Sequence, residues 1–221
     1  MDVIVTERKS ATWIRLNRPE RRNAFDPEMA LEIVNAIDGA TASRAVVITG
    51  SPGSFCSGGS LTSLAHPTER EMRYMYEGSL RLFDAIRRCP RPVIAAVNGV
   101  AMGGGLEIVL ACDVAIADPM ASFALPEVKV GLFAAAGGVQ RLTRQIGEKA
   151  AMELILTGRK LAADEASGLG LINSISASGD VMGAARALAQ TIAGNSPTSI
   201  RSSKRVLNAV DGLGKWDRGR G

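Results

Sequence analysis

The sequence predicts an α/β fold. Short β-branched or apolar runs, at 45–49, 93–97 and 113–117, alternate with longer segments of helical spacing. Gly, Pro or a helix-capping residue marks each change of type. The 221 residues are 46% hydrophobic and 22% charged, enough to bury a sizeable core, and this length favours one domain.

Residues 3–7 and 12–16 read as two short strands around a turn at Lys9-Ser10. Asp26-Pro27-Glu28 is a helix start, an N-cap followed by proline in the first turn. Met29, Ile33, Ala36 and Ile37 carry that helix to Gly39. Residues 45–49 form a buried strand, and the Gly, Ser and Pro of 50–59 predict a loop. A polar helix over 68–88 sets Met72, Met75, Tyr76, Leu80, Phe83 and Ile86 on one side and ends before Pro90 and Pro92. Residues 93–97 are a further strand, and the glycines 103–105 open the next helix. Residues 113–117 and 171–175 read as strands. The segments 148–156, 162–167, 181–193 and 198–210 read as helices. Residues 211–221, with four glycines and no apolar period, are expected to fray.

Composition narrows the chemistry. There are 26 basic and 22 acidic residues, a net charge of +4 with both signs interspersed, which is no nucleic-acid signature. The groups Arg18, Arg21, Arg22 and Arg87, Arg88, Arg91 are mostly solvated surface charge, with a phosphorylated ligand as the functional alternative. Three cysteines without a framework, Cys56, Cys89 and Cys112, indicate free thiols in a reducing compartment. His66 is the sole histidine, so neither a Ser-His-Asp site nor a multi-histidine zinc site is available, and no metal is expected. No signal-peptide pattern or membrane-length apolar run occurs, which predicts a soluble cytoplasmic protein with no membrane partner.

The chemistry-bearing stretch is 98–107. Between residues 92 and 117 only Glu107 and Asp113 are charged, and Glu107 follows Gly103-Gly104-Gly105. A carboxylate in so apolar a segment is partnered, neutral or catalytic. Bare glycines let a substrate approach the backbone and leave N–H groups free to donate to an oxygen.

Five ordered stretches carry a resemblance: 16–25 (Leu-Asn-Arg-Pro-Glu through Asn-Ala-Phe), 46–50 (Val-Val-Ile-Thr-Gly), 55–59 (Phe-Cys-Ser-Gly-Gly), 95–107, and 123–127 through the Gly-Gly-Val-Gln-Arg-Leu of 137–142. The chain resembles the enoyl-CoA hydratase/isomerase, or crotonase, superfamily over nearly all of residues 1–210. The resemblance implies a spiral of ββα units over 1–195 and a C-terminal helical trimerisation region, apparently shortened, over 196–221. It implies acyl-coenzyme A thioester substrates, a homotrimer or hexamer, and no separate cofactor, since coenzyme A arrives with the substrate. RNA binding by a basic face also occurs in the superfamily, but the helix over 68–88 is too mixed in charge to offer one, so no nucleic-acid partner is expected.

Residue by residue, the resemblance implies an oxyanion hole from the N–H groups of Gly59 and Gly104. It makes Glu107 the general base on water and Glu127 the group that orients the water and protonates C2. Two carboxylates in one dry site cannot both ionise easily, so one should be raised to supply the acid. Coenzyme A contacts are implied at Arg22, Asn23, Ala24, Ser57, Gly59, Ser60, Leu61 and Thr62, with Ala135 beside the water. Taken alone, Gly59 reads as a turn, Gly104 as a helix start and Glu127 as an exposed loop residue. Three departures stand out: Ser57-Gly58-Gly59-Ser60 where the family often has Ala-Gly-Ala-Asp, with Thr62 for a frequent Lys; Ala134-Ala135 for Pro-Gly; and an early end. The implied activity is hydration of enoyl-CoA in fatty-acid β-oxidation or related acyl-CoA metabolism. The alternatives are another lyase such as a carnitinyl-CoA-like dehydratase, an enoyl-CoA isomerase, or a low-activity acyl-CoA-binding paralogue.

Overall fold

The computed structural model describes residues 1–8, 10–60 and 68–213. The chain opens with β1 (Val3–Glu7) antiparallel to β2 (Ala11–Leu16). Helix α1 (Pro27–Gly39) then returns the chain to β3 (Ala45–Gly50), parallel to β2 with Ile14 opposite Ile48. Its N-cap is the expected one: Asp26 accepts from the Met29 N–H at 2.9 Å.

Three ββα units follow. The first is β3, β4 (Ser54–Cys56) and α2 (Glu69–Arg88). The second is β5 (Val93–Val97), β6 (Val100–Met102) and α3 (Gly104–Ala111). The third is β7 (Val114–Ala117), β8 (Ser122–Ala124) and, after a 3-10 turn, α4 (Gly138–Ile146). The first strand of each unit enters one sheet, β1-β2-β3-β5-β7-β10, and the second enters another, β4-β6-β8-β9. Helices α5 (Glu148–Thr157) and α6 (Ala163–Gly168) flank β9 (Leu161–Ala162), and β10 is Ser174–Ile175. Helices α7 (Val181–Ala193) and α8 (Pro197–Leu213) complete the described chain. No helix among the described residues is long and apolar enough to cross a membrane.

The large sheet is covered on both faces, and its alternation shows it. Val46, Ile48, Val93 and Ala95 pack with Ile33, Ile37 and Phe83 of the main core. Val47, Ile94 and Ala96 face Trp13 and the α7 residues Val181, Ala185 and Ala189. Each such aliphatic side chain taken from water contributes about 1.5–3 kcal/mol before chain entropy is set against it. Helix α8 is fastened by a part-buried pair: Lys204 Nζ donates to Asp113 Oδ2 at 2.6 Å and to the Arg91 carbonyl at 3.0 Å.

The structure corrects several sequence expectations. The 50–59 loop contains β4, and β6 and β8 precede the glycine triplet and Glu127; each has three residues, too few to show a period of two. The strand expected over 171–175 shrinks to β10, while Leu171 and Ile172 pack into the core without pairing. Of the residues 211–221 expected to fray, 211–213 continue α8, and 214–221 lie outside the described residues. The expected apolar side of α2 divides: Phe83 and Ile86 are buried, Tyr76 and Leu80 are exposed, and Leu82 is buried in addition.

Candidate active site

The site lies where three neighbouring strands of the small sheet end. In the order β4-β6-β8, each strand delivers a loop at its C-terminal end. After Cys56 comes Ser57-Gly58-Gly59, after Met102 comes Gly103-Gly104, and after Ala124 comes Leu125-Pro126-Glu127. Parallel pairing keeps these ends level, and the Gly103 N–H donates to the Ala124 carbonyl at 2.9 Å. A cavity of about 340 Å³ opens there, and Glu107, Glu127, Gly59, Gly104, Ser57 and Ala135 all line it.

Each glycine of the triplet answers a separate steric demand. Gly103 has φ +52°, and a Cβ there would sit 3.0 Å from Glu127 Oε1. A Cβ at Gly104 would lie 2.8 Å from the Phe25 ring, and one at Gly105 would strike the Cys56 carbonyl. Gly104 is the first residue of α3, so its N–H has no partner within the helix. Gly59 bridges Phe25 in parallel fashion: Phe25 N–H donates to the Gly58 carbonyl and Ser60 N–H to the Phe25 carbonyl. That pattern turns the Gly59 N–H away from Phe25, and its nitrogen lies 3.5 Å from the Cβ position of Gly104. Two backbone donors therefore share one end of the cavity.

Glu107 is 5% exposed, and its Oε1 accepts from the Gly138 N–H at 2.8 Å. Burial pushes its carboxyl up to about 7, and the neighbouring Glu127 charge adds to the rise; the Gly138 and Ala136 N–H groups and the Arg141 cation oppose it. Glu127 begins a 3-10 turn, Glu127–Val130, and is half-buried. Burial raises its carboxyl as well, and its Oε2 is a buried oxygen with no hydrogen-bond partner among the described residues. Only one carboxyl was expected to rise; both do, because both are desolvated. The Glu127 charge is one cause of the Glu107 rise, so the ionisation of one carboxyl bears on the other.

The remaining wall is apolar. Met72, Met75 and Tyr76 of α2 stand opposite Val130, Leu132 and Phe133, and Phe133 is 70% exposed at the mouth. Sequence periodicity set the α2 residues on one helix side without marking them as cavity wall. The Gly138 N–H was also missed; the Gly-Gly pair opening α4 was its only signal.

Arg22, Asn23, Ala24 and Ser60 do not line this cavity. Asn23 is wholly buried with φ +57°. Its Nδ2 donates to the Ser54 and Phe55 carbonyls, and its Oδ1 accepts from the Arg18 N–H and Ser51 Oγ. Its side chain thus pins β4 and the loop that carries Gly59. The Ser57 N–H donates to the Arg22 carbonyl at 3.0 Å, tying the 22–24 segment to the same loop, and Arg22 is exposed. Leu61, Thr62 and His66 lie outside the described residues.

Backbone donors and paired carboxyls lining one apolar cavity are the groups that acid–base chemistry at a carbonyl compound requires. The chain belongs to the enoyl-CoA hydratase/isomerase family, whose model matches residues 6–211. Over 97% of its length it is 42% identical to a Thermus thermophilus relative grouped with the enoyl-CoA hydratases, covering 87% of that relative. It is 33% identical to the short-chain-enoyl-CoA hydratase of Clostridium acetobutylicum, over 94% of this chain and 81% of the other. Among solved structures, an enoyl-CoA hydratase from Bacillus anthracis superposes with a TM-score of 0.89 at 34% identity, over 94% of this chain and 82% of that one. The ββα spiral is accordingly the crotonase fold.

Proposed function

We propose that the protein is an enoyl-CoA hydratase, adding water across the 2,3-double bond of an acyl-CoA thioester. The observation that supports this most is that Glu107 and Glu127 line one cavity beneath the N–H groups of Gly59 and Gly104. The thioester oxygen sits between the two donors. Water held by the carboxyls attacks C3 and gives its proton to Glu107. The π electrons move onto the thioester oxygen as an enolate, which the donors stabilise; each is worth roughly 3–4 kcal/mol in the transition state. Collapse of the enolate takes the Glu127 proton at C2, and a proton passing from Glu107 to Glu127 resets the pair. The Glu107 carboxyl, pushed up to about 7, suits proton exchange near neutral pH, and burial raises Glu127 in the same direction.

Coenzyme A enters as part of the substrate, with Arg22, Ala24 and residues 59–62 as its proposed contacts; Asn23, wholly buried, supports them from behind. The setting is β-oxidation or related acyl-CoA metabolism in the cytoplasm, by a homotrimer or hexamer; light scattering of the purified protein measures that assembly. The activity test mixes the protein with crotonyl-CoA and follows loss of the conjugated thioester absorbance. Loss with 3-hydroxybutyryl-CoA as product supports hydration. Migration of the double bond in a 3-enoyl-CoA, without hydration of the 2-enoyl ester, replaces it with isomerisation. Tight binding of either ester without turnover leaves only a binding role.

A further inference from the structure

Arg141 stands in the first turn of α4, three residues after the Gly138 whose N–H holds Glu107. Its Nη1 folds back to donate to the Ala136 carbonyl at 2.9 Å, while its own N–H donates to the Gly137 carbonyl at 2.9 Å. The guanidinium carbon lies 5.8 Å from the centre of the Phe83 ring. Gly137 has φ +105°, and a Cβ there would lie 2.8 Å from the guanidinium carbon. The guanidinium therefore wraps the outside of the 136–138 turn, and the Glu107 carboxylate meets the same turn from inside.

The charges around this turn are uneven. Among the described residues, Glu127 and Arg141 are the charged side chains with the largest effect on Glu107. On its other side Arg141 borders a second cleft with Arg144, Arg201, Lys204 and Arg205. Asp84, the one acidic residue lining that cleft, pairs with Arg88 at 2.9 Å.

We propose that Arg141 is a positioning residue for Glu107: it fastens the turn that presents the Gly138 N–H and sets its cation against the outer side of that turn, behind the carboxylate. The catalytic consequence rests on the hydratase reading; the effect on ionisation does not.

The test is a carboxyl ¹³C NMR titration of the full chain labelled at glutamate, with E107Q identifying the Glu107 signal. It compares the parent with R141K, which keeps the charge, and R141Q, which keeps a donor toward Ala136 without charge. R141M replaces R141Q if the latter does not fold. The expected result is a Glu107 midpoint about one pH unit higher in R141Q and displaced by no more than a few tenths in R141K. The acid limb of kcat/KM for crotonyl-CoA moves in step, with roughly tenfold less activity about a pH unit below the parent midpoint and recovery in alkali. A merely structural arginine lowers the rate at every pH and leaves the midpoint in place. An unmoved midpoint in the uncharged variant, or equal displacement in R141K and R141Q, overturns the proposal. A moved midpoint in a protein that hydrates nothing overturns the hydratase reading alone.

Discussion

The Gly138 N–H donates to Glu107 Oε1 at 2.8 Å, so the N-terminus of α4 holds the carboxylate that α3 carries into the cavity. The place a Cβ would take at Gly138 is already filled: it lies 2.8 Å from both that oxygen and the Ala134 methyl. Gly138→Ala must displace one of them. We expect kcat to fall about a hundredfold, as for other small misplacements of a reacting group, and stability to fall by about 1–3 kcal/mol. Steady-state kinetics and urea unfolding of the variant check both.

Gly59 and Gly104 differ in tolerance although both present an N–H. A Cβ at Gly59 lies 3.5 Å from the flexible end of Met75, ordinary contact, whereas at Gly104 it lies 2.8 Å from the Phe25 ring. Gly59→Ala should keep activity within about threefold. Gly104→Ala should lose roughly a hundredfold, because shifting the first turn of α3 moves one donor by enough to misalign it. Parallel kcat/KM measurements on the two variants decide this.

Glu107 carries a pH-dependent cost in stability. Its carboxyl is raised from 4.5 to about 7 by burial, so the folded protein holds a proton that the unfolded chain has already released. Its favourable contribution is fully present below about pH 4.5 and is lost as pH rises through 7. Glu107→Gln removes that loss. Relative to the parent, the variant should gain roughly 2–4 kcal/mol between acid and about pH 8.5 while losing turnover. Urea midpoints at both pH values test it; an unchanged difference contradicts the assignment.

Asn23 supports the site from behind. Asn23→Ala strands two carbonyls and two donors and places alanine at φ +57°. About 3–5 kcal/mol of stability should disappear, with Asn23→Gly milder by about 1 kcal/mol because glycine adopts that backbone freely. Chemical unfolding of the pair separates the lost hydrogen bonds from the backbone term.

Much of this was legible in the residues. The Asp26 cap announces α1, the apolar positions from Met72 to Ile86 announce α2, and the triplet with Glu107 announces the start of α3. The three-residue strands β4, β6 and β8 were not, because their pairing is set by partners in the other repeats rather than by local pattern. They decide that Gly59, Gly104 and Glu127 meet, so the residue pattern showed the site's components, while only the family resemblance implied their convergence. Met72, Met75 and Tyr76 look like any apolar helix stripe; only the position of the 130–133 segment makes them a cavity wall. Asn23 carries no local signal of burial, since its four partners come from Arg18, Ser51, Ser54 and Phe55.

The most direct test of the hydration chemistry is a double-mutant cycle on Glu107→Gln and Glu127→Gln, read as kcat for crotonyl-CoA hydration. If both carboxyls grip the same water, either change removes most of the rate and the double variant is hardly worse than the poorer single one. Losses that multiply, or one single variant that keeps the parent rate, would show two acids working apart and would end the shared-water account.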